Sequence, residues 1–272
     1  TISSGETPGG PGGGGGGGAV TPVLPQFEVS TYSYQKTISL GKIESDAIRI
    51  NNNAPEEKTF TISVETIEDI INIDEDSFSL AAGESKELKF RVIAPLDTGI
   101  YTGKIIVSSG ATSIEVLVTI NVKTEKSLFD ITLLIPKDMK VLSAGKILIS
   151  QINLLQMGVK EEIDVTMNYL IKDFEGNLLF SESETLAVTD QKSLTKEFHT
   201  EQFAPGDYVL GVELVYADGV AVASSQFKIE EKGIGKKDVI LASLALVVIF
   251  VFIMIALAIR SHKKMIKKLK RK

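Results

Sequence analysis

From Phe27 to Glu231 the chain alternates apolar and polar residues with a period of two. In Lys58–Glu65 (KTFTISVE), Phe60, Ile62 and Val64 stand between polar neighbours, and Leu88, Phe90 and Val92 do the same in ELKFRV. YTGKIIVSS, SIEVLVTINV, EEIDVTMNYLI, DYVLGVELVY and AVASSQFKIE continue the pattern. Successive side chains on a strand point to opposite faces, so this period predicts strands with one face on a core and the other toward water. Turn signals at Ala82-Gly83-Glu84, Glu175-Gly176-Asn177 and Asp218-Gly219 separate the runs at spacings of about 8 to 12 residues, as in antiparallel sandwiches. This region is expected to be all-β.

A weak internal repeat divides it. Ala94-Pro95, Thr98-Gly99-Ile100-Tyr101 and the strand KIIVSS return as Ala204-Pro205-Gly206-Asp207-Tyr208 and the strand VLGVELVY. The separation matches an immunoglobulin-sized sandwich of about 100 residues. Two tandem immunoglobulin-like β-sandwiches are therefore predicted, over 27–124 and 127–231, with the boundary where NVKTEKS turns polar. Each copy places a tyrosine at the entry to a late strand. Tyr101 and Tyr208 are assigned a structural role there, the ring packing on the sandwich and the hydroxyl capping a loop carbonyl.

The pattern changes at Val239. Val239–Ile259 (VILASLALVVIFVFIMIALAI) carries no charge, proline or glycine. As a helix it would be about 31 Å long, the thickness of a hydrocarbon core and longer than buried soluble helices that lack a polar face. One transmembrane α-helix is predicted over 239–259. The basic tail 260–272 follows, with Arg260, Lys263, Lys264, Lys267, Lys268, Lys270, Arg271 and Lys272 and no acid. Its positive charge places the tail in the cytoplasm and the bulk of the chain outside, so the expected localisation is the cell membrane, single-pass. The tail is expected to lie on an anionic inner leaflet rather than on nucleic acid, with Met265, Ile266 and Leu269 as a narrow apolar stripe. Within the span no pair of small residues stands four apart to drive tight helix dimerisation. Residues 1–26 read as a Gly/Pro-rich flexible linker. Gly12–Gly18 is no phosphate-binding loop, because no Lys-Ser/Thr pair follows and Pro22 and Pro25 stand where a helix would start. With export of the N-terminal part required, either a signal peptide has been removed or the chain belongs to something longer.

Composition sharpens this topology. The formal net charge of −6 divides into −14 at or before Asp238, where all 35 acids lie, and +8 in the tail. Zero cysteines rule out disulfides, thiolate metal sites and a cysteine nucleophile, and the two histidines, His199 and His262, rule out an imidazole-rich metal centre. No Asn-x-Ser/Thr sequon occurs.

Ile48-Arg49-Ile50-Asn51-Asn52, Phe78-Ser79-Leu80-Ala81-Ala82-Gly83-Glu84-Ser85 and Gly99-Ile100-Tyr101-Thr102-Gly103 resemble the prokaryotic immunoglobulin-like module associated with alpha-galactosidase carbohydrate modules (NPCBM-associated). The resemblance covers roughly Phe27 to Val122. It implies a sandwich in an exported, membrane-anchored protein of archaeal type, and it carries no catalytic residues.

The remaining candidates for chemistry are carboxylates and one histidine. Glu161-Glu162, Asp74-Glu75-Asp76 and Glu182/Glu184 are read as solvated charge; a glycosidase pair must converge across a sugar, and the adjacent Glu161 and Glu162 would point to opposite faces of a strand. Asp74, Asp76 and Asp97 are weak calcium candidates at the sandwich ends; the helix-loop-helix calcium pattern fails, with Phe78 and Ser79 at its fifth and sixth positions. His199 follows Phe198 and is expected on an outer face. Ser193 and Asp190 are nearby in sequence, but there is no nucleophile elbow.

The leading expectation is a non-enzymatic, single-pass cell-surface protein without a cofactor, acting as a stalk, anchor or interaction module of the cell envelope. Two sandwiches in tandem give a reach on the order of 60 Å. A surface protein or glycan is the expected partner, with exposed strand edges as docking sites. The alternatives are the carbohydrate-binding or anchoring end of an exported hydrolase, which the absence of tryptophan weakens, and a membrane-bound assembly or secretion factor for surface subunits.

Overall fold

The computed structural model describes residues 25–158 and 161–231. The linker before Pro25, the apolar run Val239–Ile259 and the basic tail lie outside the described residues. Among the described residues no helix is long and apolar enough to cross a membrane. The architecture is all-β.

The first sandwich contains β1 (Phe27–Val29), β2 (Ser33–Ser39), β3 (Ile43–Asn52), β4 (Lys58–Glu65), β5 (Ile71–Ile73), β6 (Ser77–Leu80), β7 (Ser85–Ile93), β8 (Gly99–Ser109) and β9 (Thr112–Lys123). One sheet has the order β1-β3-β7-β5 and the other β2-β9-β8-β4-β6. The second sandwich contains β10 (Phe129–Leu134), a short 3-10 helix (Lys137–Met139), β11 (Val141–Ser143), β12 (Ile147–Gln156), β13 (Ile163–Lys172), β14 (Leu178–Val188), β15 (Gln191–His199), β16 (Gly206–Tyr216) and β17 (Gly219–Glu230). Its sheets run β10-β12-β15 and β11-β17-β16-β13-β14. The repeat legible in the sequence is thus a repeat of topology. In both units an early strand joins the last one in parallel, β2 on β9 and β11 on β17.

Alternation builds each core. Phe60 and Ile62 of β4 meet Phe90 and Val92 of β7 across the first sandwich, and Phe27 packs edge-on to Phe60 with ring centroids 5.2 Å apart. Tyr169, Phe198, Leu148 and Val212 fill the second. Asn52 is buried among apolar neighbours and stays fully paired. Its Nδ2 donates to the carbonyls of Glu56, Leu80 and Ala81, and its Oδ1 accepts from the Ala54 amide.

Among the described residues, runs of five buried residues interrupt the alternation in three strands. Val116–Val122 of β9, Tyr208–Val212 of β16 and Ala221–Ser225 of β17 are buried on both faces, apart from half-buried Leu117. The reason is that the outer faces of the two five-stranded sheets lie against each other, giving four stacked layers. Along this contact β9 and β17 run in opposite senses, with Thr119 meeting Gln226, Asn121 meeting Ser224 and Thr124 meeting Val220. The sandwiches therefore pack side by side, which shortens the reach expected of two sandwiches end to end.

Candidate functional site

The joint between the sandwiches concentrates the buried polar and charged groups. Its apolar centre is Ile100 from β8 with Leu170, Val209 and Val222 from β13, β16 and β17, and Phe174 from the loop after β13. Gly211 of β16 permits the contact, because a Cβ there would fall 2.1 Å from Ile100 Cδ1 and 2.9 Å from Leu170 Cδ1. Gly176, held at a φ of +83°, makes a second close approach, to Thr66 of the other sandwich.

A polar row borders this centre. Ser224 Oγ donates to Asn121 Oδ1 at 2.7 Å, and Gln226 Nε2 donates to Thr119 Oγ1 at 3.0 Å. Gln35 Nε2 donates to the carbonyl and hydroxyl oxygens of Ser224, both at 3.0 Å, while Ser33 Oγ donates to Gln226 Oε1. Polar atoms matched in this way fix one register of the two sheets, since sliding them strands the donors.

Three charged groups complete the joint. Lys104 reaches Glu115 at 3.1 Å on its own sandwich and Glu175 at 2.7 Å on the other. Lys172 Nζ donates to the Ile100 carbonyl at 2.7 Å, and burial pushes its pKa down. Burial likewise pushes the Glu213 carboxyl up, against the opposing pull of Lys172. These shifts come from desolvation at a packed interface, which disfavours charge of either sign.

Beside the joint the sheets part and leave a notch. One cavity of about 320 Å³ is lined by Lys104, Glu115, Asp173, Glu175 and Tyr208, among others. An adjoining one of about 260 Å³ has Lys140, Gln226, Phe227 and Lys228 on its wall. The two share Leu117, Phe174 and Asp207.

The residues singled out in the sequence are dispersed. Tyr101 and Tyr208 each donate a hydroxyl to the carbonyl four residues earlier, Asp97 at 3.0 Å and Ala204 at 2.6 Å. Asp74 pairs with Arg91 at 3.7 Å, and among the described residues no three acidic or histidine side chains gather to hold a metal, so Asp74, Asp76 and Asp97 are not brought together. His199 is exposed, with Glu201 3.6 Å away. Glu161 and Glu162 precede β13 instead of lying on it, and both are exposed.

Glu182 and Glu184 are exposed, and each also makes a specific contact. They lie on β14, the outermost strand of its sheet, opposite the inward-facing Tyr169 and Met167 of β13. Glu182 pairs with Lys196, Glu184 accepts from the Tyr169 hydroxyl, and Lys196 sits 4.6 Å from the centre of the Tyr169 ring. Charged side chains along a long edge strand oppose addition of another strand, so this edge is guarded.

Sequence reading missed Lys104, Lys140, Lys172 and Glu213. Gly211 was the one available signal: a glycine inside the apolar run VLGVELVY marks a close backbone approach.

No protein-family model matches the chain, and no curated protein matches it. Solved structures resemble it at low identity. A Porphyromonas gingivalis protein of unknown function matches with TM-score 0.38 and 10% identity, over 76% of this chain and 100% of that one. The CupB2 chaperone of Pseudomonas aeruginosa matches with TM-score 0.31 and 9% identity, over 74% and 99%. The human CEP192 PapD-like domain 7 matches with TM-score 0.33 and 11% identity, over 40% and 95%.

Proposed function

We propose that the chain is a non-enzymatic, single-pass cell-surface protein whose two sandwiches act as one rigid stalk or protein-interaction module of the cell envelope. The observation that carries this reading is the joint. An apolar centre flanked by a row of matched donors and acceptors resists bending, and resistance to bending is what a spacer or a presenting platform needs. The apolar run Val239–Ile259 and the eight cations after it supply the anchor and its orientation. The all-β fold with immunoglobulin-like and PapD-like neighbours is compatible with an interaction module.

The absence of cysteine provides a direct test. Single substitutions Glu57→Cys, on an exposed loop, and Ser261→Cys, in the basic tail, are exposed to a membrane-impermeant maleimide on intact cells. Position 57 is expected to label at once and position 261 only after permeabilisation. Labelling of position 261 in intact cells, or protection of position 57, overturns the topology.

A further inference from the structure

We propose that the notch beside the joint binds a small molecule bearing a carboxylate, held by Lys140 and Lys228 with its apolar body on Leu117 and Phe174. This goes beyond the stalk reading and stands independently of it.

Lys140 carries the argument. It follows the 3-10 helix and lines the cavity of about 260 Å³ together with Lys228. Its ammonium donates to Ser225 Oγ at 2.6 Å and to the Gln226 carbonyl at 3.0 Å. Both acceptors are neutral, and they use two of the three donors an ammonium has. No carboxylate pairs with Lys140 among the described residues. Burial pushes its pKa down with no neighbouring charge to oppose the shift. A half-buried cation without a counter-ion costs free energy that an arriving anion would recover.

The surroundings select the ligand. Lys228 meets its acid, Asp207, only at 3.9 Å, so two ammonium groups on this wall face one carboxylate and one positive charge is unmatched. That balance suits a monoanion. Toward the other cavity Lys104 is already matched by Glu115 and Glu175, and Asp173 adds another negative charge, so an anion is directed to the Lys140 end. Leu117 and Phe174 offer hydrocarbon to the rest of the molecule.

The test uses the full chain and saturation-transfer NMR with phenylacetate, and with phenylacetamide as a neutral molecule of the same shape. Phenylacetate is expected to bind, with the amide at least about tenfold weaker, as for loss of one charge-assisted hydrogen bond. Lys140→Met is expected to weaken phenylacetate at least about tenfold while Lys140→Arg retains it. Lys228→Met gives the same reading with a smaller loss and serves if Lys140→Met fails to fold. Equal binding of acid and amide, undiminished binding by both Met variants, or no transfer from phenylacetate to the unsubstituted chain overturns the proposal.

Discussion

A methyl group on Gly211 would lie 2.1 Å from Ile100 Cδ1, and these two residues belong to different sandwiches. The missing side chain is what lets β16 and β8 come together. Leu170 closes on the same point from β13, so the position has no room to relax outward.

Gly211→Val is therefore expected to overpack the joint and cost about 1–3 kcal/mol or more. Its signature in urea unfolding is a loss of cooperativity, with the two sandwiches melting separately. Gly110→Ala, at a position where nothing lies within 4 Å, strains only its own turn and serves as the control.

The hydrogen bond from Ser224 to Asn121 lies in buried surroundings. Ser224→Ala leaves Asn121 Oδ1 without that donor and is expected to cost about 1–3 kcal/mol. A double-mutant cycle with Asn121→Ala is expected to give a coupling of about 0.5 kcal/mol or more, measured as the difference in unfolding free energies. Additivity would show that the polar row contributes nothing to the register.

Glu213 gives a pH dependence of unusual sign. Its folded-state pKa is raised above the ordinary glutamate value of 4.5, so the folded chain holds this proton more tightly than the unfolded one. Stability from this residue is present at low pH and is lost as pH rises through the folded pKa. The difference in urea midpoint between the native chain and Glu213→Gln is expected to move against the native chain from pH 4 to pH 7. Lys172 moderates the effect by favouring the carboxylate.

Tyr208 is buried, and its hydroxyl has the Ala204 carbonyl as partner. Burial first, then Asp173, Glu175 and Asp207, raises its pKa, so the phenol stays protonated and donating throughout the neutral range. Tyr208→Phe is expected to lower stability by about 1 kcal/mol in chemical denaturation.

The strands were legible wherever alternation was clean. Lys58–Glu65, read from Phe60, Ile62 and Val64, is β4 in the structure. β14 was not legible because Glu182 and Glu184 stand opposite the inward-facing Tyr169 and Met167, and acids there erase the apolar signal the strand would otherwise show. The joint was hidden for a related reason. Thr119, Asn121, Ser224 and Gln226 are the polar half of their alternating strands, and only the partner sheet reveals the first three to be buried and Gln226 half-buried. Tyr101 and Tyr208 stood out because a Pro/Gly turn before a late strand is a local pattern, whereas Lys140 depends on Ser225 and Gln226, more than eighty residues away.

The claim that the two sandwiches move as one body is tested most directly by a spin-label distance across the joint. With no native cysteine, Glu57→Cys and Glu201→Cys place one exposed label on each sandwich. Double electron-electron resonance is expected to give one narrow distance distribution that broadens when Gly211→Val is added. A broad or two-peaked distribution in the chain without that substitution would contradict the account.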